Sequence, residues 1–160
     1  MSYRNIMKEE IERVCGNIHI YPKTVRKVYA KALEEAKVTG YSVESMTYEI
    51  LEGLEEGLQC SSKEAEPYLQ HASEIMLDLL HHSAKEDILS RHRQLMFAKK
   101  MLDETFEAEK NHIAETFNIL RSYSASHGYR KFEKSLVQME VMMMQHIEEL
   151  AGEIKYNRSS

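Results

Sequence analysis

The sequence predicts an all-α protein: a helical bundle with a long antiparallel helical hairpin in its C-terminal half and a smaller N-terminal helical subdomain. Three observations carry this expectation. Only 6 glycines and 2 prolines occur in 160 residues, so the residues that punctuate β-structure are scarce. Apolar residues recur at steps of three and four along most of the chain, the period of an amphipathic helix. Two such seams flank Gly128, and a short link between matched seams makes antiparallel neighbours.

Residues 1–60 are expected to form the subdomain. A short helix over 3–15 sets Met7, Ile11 and Val14 on one face, and Gly16-Asn17 follows as a stop. Ile18 to Tyr21 reads as an extended connector, because Pro22 biases the residue before it away from helical geometry while suiting the start of the next helix. Over 22–38, Val25, Val28, Tyr29, Ala32, Leu33 and Ala36 repeat at helical spacing, and Gly40 supplies a left-handed cap. Ser42 caps a further helix over 43–59 that turns Val43, Met46, Ile50, Leu54 and Leu58 inward.

Residues 61–160 are expected to form the bundle. Ser61 and Glu64 have capping-box spacing, so a helix starts between 61 and 67 and runs to about 82. Ser83 with Glu86 repeats that spacing and predicts a break there. A helix over 84–126 follows, roughly 60 Å long at about 1.5 Å per residue. Its seam runs through Ile88, His92, Leu95, Lys99, Leu102, Phe106, Glu109, Ile113, Thr116, Leu120 and Tyr123. Gly128 ends it, and a last helix over 129–156 answers with Phe132, Leu136, Met139, Met143, His146, Leu150 and Ile154.

Charge narrows the partners. With 26 acidic and 21 basic residues the net charge is -5, so no overall positive field draws the chain to nucleic acid. The segment Ala36 to Ile50 has the spacing of a helix-turn-helix, but its second helix carries five glutamates and no lysine or arginine, which phosphates would repel. No stretch is apolar enough for a membrane span, and the first ten residues carry charge where a signal peptide needs an apolar run. Cys15 and Cys60 stand apart, outside any Cys-x-x-Cys pair, and read as free thiols in a reducing compartment. The expected location is the cytoplasm. No nucleophile elbow or glycine-rich phosphate loop occurs, which turns the reading away from an enzyme.

Hairpin geometry nominates one site. With the turn at Gly128, opposed residues have numbers summing to about 256, which sets Glu109 opposite His146, with His112 and Glu149 one turn away. Glu109-Lys110-Asn111-His112 has the Glu-x-x-His form and resembles, in a single copy, the motif of the di-iron carboxylate bundles. His146 and Glu149 stand in the reversed order, so the resemblance covers one helix only; the layer of Glu109, His112, His146 and Glu149 that the hairpin assembles is read as a candidate site for iron or zinc, with a buried polar layer fixing helix register as the structural alternative. A stripe of His71, Glu74, Asp78 and His81 reads as a solvated face. Met139, Met142, Met143 and Met144 read as core packing, since a copper site would want its methionines at wider, repeated spacing or with cysteine and histidine close by. The functional expectation is a helical interaction module, forming a homodimer or binding another protein, with a metal-binding bundle as its competitor.

Overall fold

The computed structural model describes residues 2–14, 19–59, 64–94 and 99–159. Among them are six α-helices and no strand: α1 (Tyr3–Arg13), α2 (Tyr21–Thr39), α3 (Val43–Leu58), α4 (Ala65–Gln94), α5 (Lys99–Ser126) and α6 (Arg130–Ser159). The expectations for Cys15, Gly16-Asn17, Ile18, Cys60, Ser61 and Leu95, and for the side chains of His92, Lys99 and Leu102, lie outside the described residues.

Helix ends follow from local chemistry. Ser2 and Ser42 cap α1 and α3, each side-chain oxygen accepting the backbone N–H three residues on. Gly40 takes φ 71° and donates its N–H to the Ala36 carbonyl, which turns the chain sharply from α2 into α3. Gly128 also takes φ 71°. Its N–H bonds the Ala125 carbonyl and the Tyr129 N–H bonds the Ser124 carbonyl, the paired bonds of a Schellman cap. The predicted hairpin of α5 and α6 forms around this turn, its two helices packed together.

Two expected boundaries are corrected. α4 runs unbroken through Ser83, because its inward stripe of Leu69, Ala72, Met76, Leu80, Ala84 and Ile88 continues past that point without interruption. A capping sequence ends a helix only where the apolar face ends with it. The helix of 84–126 is correspondingly absent, and α5 has 28 residues. Tyr21 is the first residue of α2 and not an extended connector. Its ring is buried edge-on against Tyr68 at 5.1 Å, and this packing outweighs the bias imposed by Pro22. Pro67 falls in the first turn of α4, where its missing N–H breaks no intrahelical bond.

One apolar cluster includes residues of all six helices. α3 lies at its middle, packed on α1, α2, α4 and α5. Its approach to α1 depends on two glycines: a Cβ on Gly53 would lie 2.2 Å from the Arg4 carbonyl oxygen, and one on Gly57 would lie 2.7 Å from Ile11 Cβ. The exposed Arg4 spans the same contact to pair with Glu52 and Glu56. In α6 the inward residue after Met143 is Ile147, fully buried, and His146 is exposed. Either step, three or four, is compatible with a helical seam, and packing selects the apolar residue.

Gly53→Ala should therefore destabilise the fold by about 1–3 kcal/mol, as overpacking does. Gly152→Ala, on α6 with open space around the added methyl, should be neutral or stabilising by up to about 1 kcal/mol through helix propensity. Urea denaturation of the two variants measures both effects; equal stability would remove the close α1–α3 contact from the account.

Candidate functional site

A cleft of about 440 Å³ opens between the end of α2, the start of α3, the middle of α4 and α5. The Gly40 turn and the Ser42 cap position its first wall by setting Glu44 in the opening turn of α3. Glu44 is only 8% exposed, yet its carboxylate is well satisfied. The Ser42 hydroxyl donates to Oε2 at 2.6 Å, and His112 Nδ1, from α5, lies 3.3 Å from Oε1. Burial works against the charged carboxylate, but these bonds and one from its own backbone N–H outweigh it and hold Glu44 below the ordinary carboxylate range.

Glu115 completes a cluster. One ligand atom each from Glu44, His112 and Glu115 lie within 4.8 Å of one another. His112 and Glu115 are three apart on α5 and so share a face. A carboxylate, an imidazole and a second carboxylate thus converge from two helices beside the cleft.

Glu109, one turn before His112 on α5, and Asp87 of α4 line the same cleft. Asp87 pairs with Lys37 at 3.4 Å. Burial first, then the negative charge of Asp87 and a hydrogen bond to it, push the Glu109 carboxyl up to about 7, with His112 and Lys37 pulling the other way. Near neutrality Glu109 is thus poised to hold or release a proton, a property that marks candidate functional clefts.

The four residues nominated from sequence divide between two places. Glu109 and His112 line the cleft, with Glu109 turned towards Asp87 of α4. His146 lines a separate groove between α4 and α6, its ring 5.5 Å from that of His81. Glu149 is exposed and lines neither. Sequence reasoning missed Glu44 and Glu115. Glu115 was within reach, at the same spacing after His112 as Glu109 before it. Glu44 was not, since it is 68 positions away from its partner. The stripe His71, Glu74 and Asp78 is exposed as expected, while His81 is half-buried.

A second polar knot holds the far end of α3. Glu55 accepts hydrogen bonds from the hydroxyls of Tyr123 and Tyr129, and His127 Nε2 lies 3.1 Å from it. The imidazole is stacked on Tyr123 at 4.2 Å and on Tyr129 at 5.5 Å. Burial, followed by the hydrogen bond to Glu55, raises both phenols above their usual range, so they remain donors. The Schellman turn at Gly128 brings these three rings together around one carboxylate.

Comparison with protein-family models, with curated proteins and with solved structures finds no match. No helix among the described residues is long and apolar enough to cross a membrane. The functional reading therefore rests on the geometry of the cleft.

The Glu109 shift has a definite sign. The folded state keeps a proton that the unfolded chain releases near 4.5, so stability should fall as pH rises from about 4.5 to about 7 and level off above. Glu109→Gln should flatten that slope and be more stable than the parent at pH 8, by about 1–2 kcal/mol once solvent screening is allowed for. Thermal unfolding between pH 4.5 and 8 measures this, and two superimposable pH profiles would contradict the assignment.

Proposed function

We propose that the protein is a metal-binding helical bundle, holding zinc or iron(II) through His112 Nδ1 and one carboxylate oxygen each of Glu44 and Glu115. The observation that carries the reading is the convergence of these three ligand atoms within 4.8 Å, where small side-chain rotations would bring them to bonding distances of about 2.0–2.2 Å. Mixed imidazole and carboxylate ligands suit these metals. Three protein ligands leave a coordination position open, and the adjoining cleft gives that position room. An ion there would take the place of the hydrogen bond between His112 and Glu44, with the imidazole carrying its proton on Nε2 and presenting a bare Nδ1 to the metal.

Zinc titration of tag-free protein by calorimetry tests the reading. His112→Ala and Glu115→Gln should each weaken binding at least about tenfold, whereas Glu149→Gln should leave it unchanged. No zinc or iron(II) uptake, or uptake indifferent to His112→Ala and Glu115→Gln, would overturn it.

A second reading, self-association, is favoured by the outer face of α6. Val137, Val141 and Met142 are 51%, 63% and 57% exposed, midway between exposed Arg130, Lys131 and Lys134 and exposed Glu148, Glu149 and Glu153. A second copy lying antiparallel across a twofold near Val141 would set each basic end against an acidic one. The length of the α5–α6 hairpin adds no motive of its own, since α3, α4 and α6 of the same chain pack on α5. Sedimentation equilibrium at micromolar concentration should show a dimer that Val141→Asp dissociates; a strict monomer removes this reading.

A further inference from the structure

Away from the cleft, α4 and α6 enclose a shallow groove of about 210 Å³. Its polar and soft groups come from both helices: His81 from α4, beside the carboxylates Glu74 and Asp78 that pair with His71 and His82, and His146 with Met139, Met142 and Met143 from α6. Met139, Met143 and His146 stand at i, i+4 and i+7, which puts them on one face of α6. The methionines read from sequence as core packing. Only Met143 among these three is buried, and Met142 is largely exposed. The fold brings His81 to His146, which shares a helix face with Met139 and Met143.

The imidazoles are suitably placed. An ion about 2 Å from one nitrogen of each ring lies about 3 Å from each ring centre, so two rings on one ion have centres about 5–6 Å apart. The rings of His81 and His146 are 5.5 Å apart and inclined at 32°. Burial first, then the nearby His146, His82 and Lys85, lower the pKa of His81, with Asp78 opposing them. Its imidazole is thereby kept in the neutral form that a metal requires. Methionine side chains are long and unbranched, so their sulfurs can swing to an ion held between the rings.

We propose that this groove is a soft-metal site, binding one Cu(I) ion through the imidazoles of His81 and His146 and the thioethers of Met139 and Met143. Thioethers select Cu(I) over harder divalent ions, and imidazole suits copper as well. The site shares no residue with the zinc or iron cluster of Glu44, His112 and Glu115, so either can fail without the other.

The test is an anaerobic competition titration against a chromogenic Cu(I) chelator, using the full chain with Cys15→Ser and Cys60→Ser so that thiols do not compete. One equivalent of Cu(I) should be withdrawn from the chelator. His81→Ala, His146→Ala and the paired Met139→Leu/Met143→Leu variant should each weaken binding at least about tenfold, while His112→Ala should not. Circular dichroism establishes that each variant is folded, and X-ray absorption at the copper edge should show both nitrogen and sulfur neighbours. No copper uptake, uptake unaffected by the two histidine variants in folded protein, or a copper shell without sulfur would overturn the proposal.

Discussion

The architecture depends on the parallel register of α3 and α5, fixed by a polar rung at each end. Glu44 meets His112 and Glu55 meets Tyr123, and each pair is 68 positions apart. The rungs are therefore 11 residues apart on both helices, close to three helical turns, so the same faces meet at both ends. Between them lie Thr47, Leu51 and Leu54 of α3, and Thr116, Phe117 and Leu120 of α5, all buried. A slip of one residue would separate both carboxylates from their partners and leave Glu44 buried without one, a costly outcome for a charge inside the protein. Such rungs add less to net stability than to the choice of a single register.

α3 can occupy that central place because its opposite side is almost bare. Gly53 and Gly57 let α1 approach to backbone contact, so the helix is held from behind by steric fit and in front by hydrogen bonds. The same seating creates the cleft. Fixing the start of α3 beside α5 puts Glu44 against His112 and leaves space towards α4, where Asp87, Glu109 and Lys37 gather. The result is a concentration of acidic groups balanced by a single lysine and an imidazole. Burial first, and the charge of Asp87 with it, account for the proton retained by Glu109, and the excess of acidic groups favours the cation proposed at the neighbouring ligands.

What could be read from sequence was whatever short-range chemistry decides. Ser42, Gly40 and Gly128 marked helix ends correctly, since capping geometry involves only a few neighbouring residues, and the seams of Phe132, Leu136 and Met143 and of Ile113 and Leu120 are buried as their spacing implied. Local signals misled where tertiary packing opposed them, as at Ser83, inside a continuous apolar stripe, and at Tyr21, whose ring is held by Tyr68. The choice between His146 and Ile147 depended on packing beyond the hairpin: α4 also packs on α6, Ile147 is buried, and His146 is left beside His81 of α4. The pairing of Glu44 with His112 was beyond reach for a related reason. Hairpin logic pairs helices adjacent in sequence, whereas α3 and α5 are neighbours only because α4 crosses between them.

The central claim is most directly tested by paramagnetic relaxation in solution. With a nitroxide on Ser45→Cys, at an exposed position beside Glu44, and with Cys15 and Cys60 replaced by serine, amide signals on α5 should be broadened most around His112. The effect should decline towards Tyr123, about 16 Å further along the helix. Broadening strongest at Tyr123 and weakest at His112 would mean that α3 and α5 do not run in this register, and the cleft built on it would not exist.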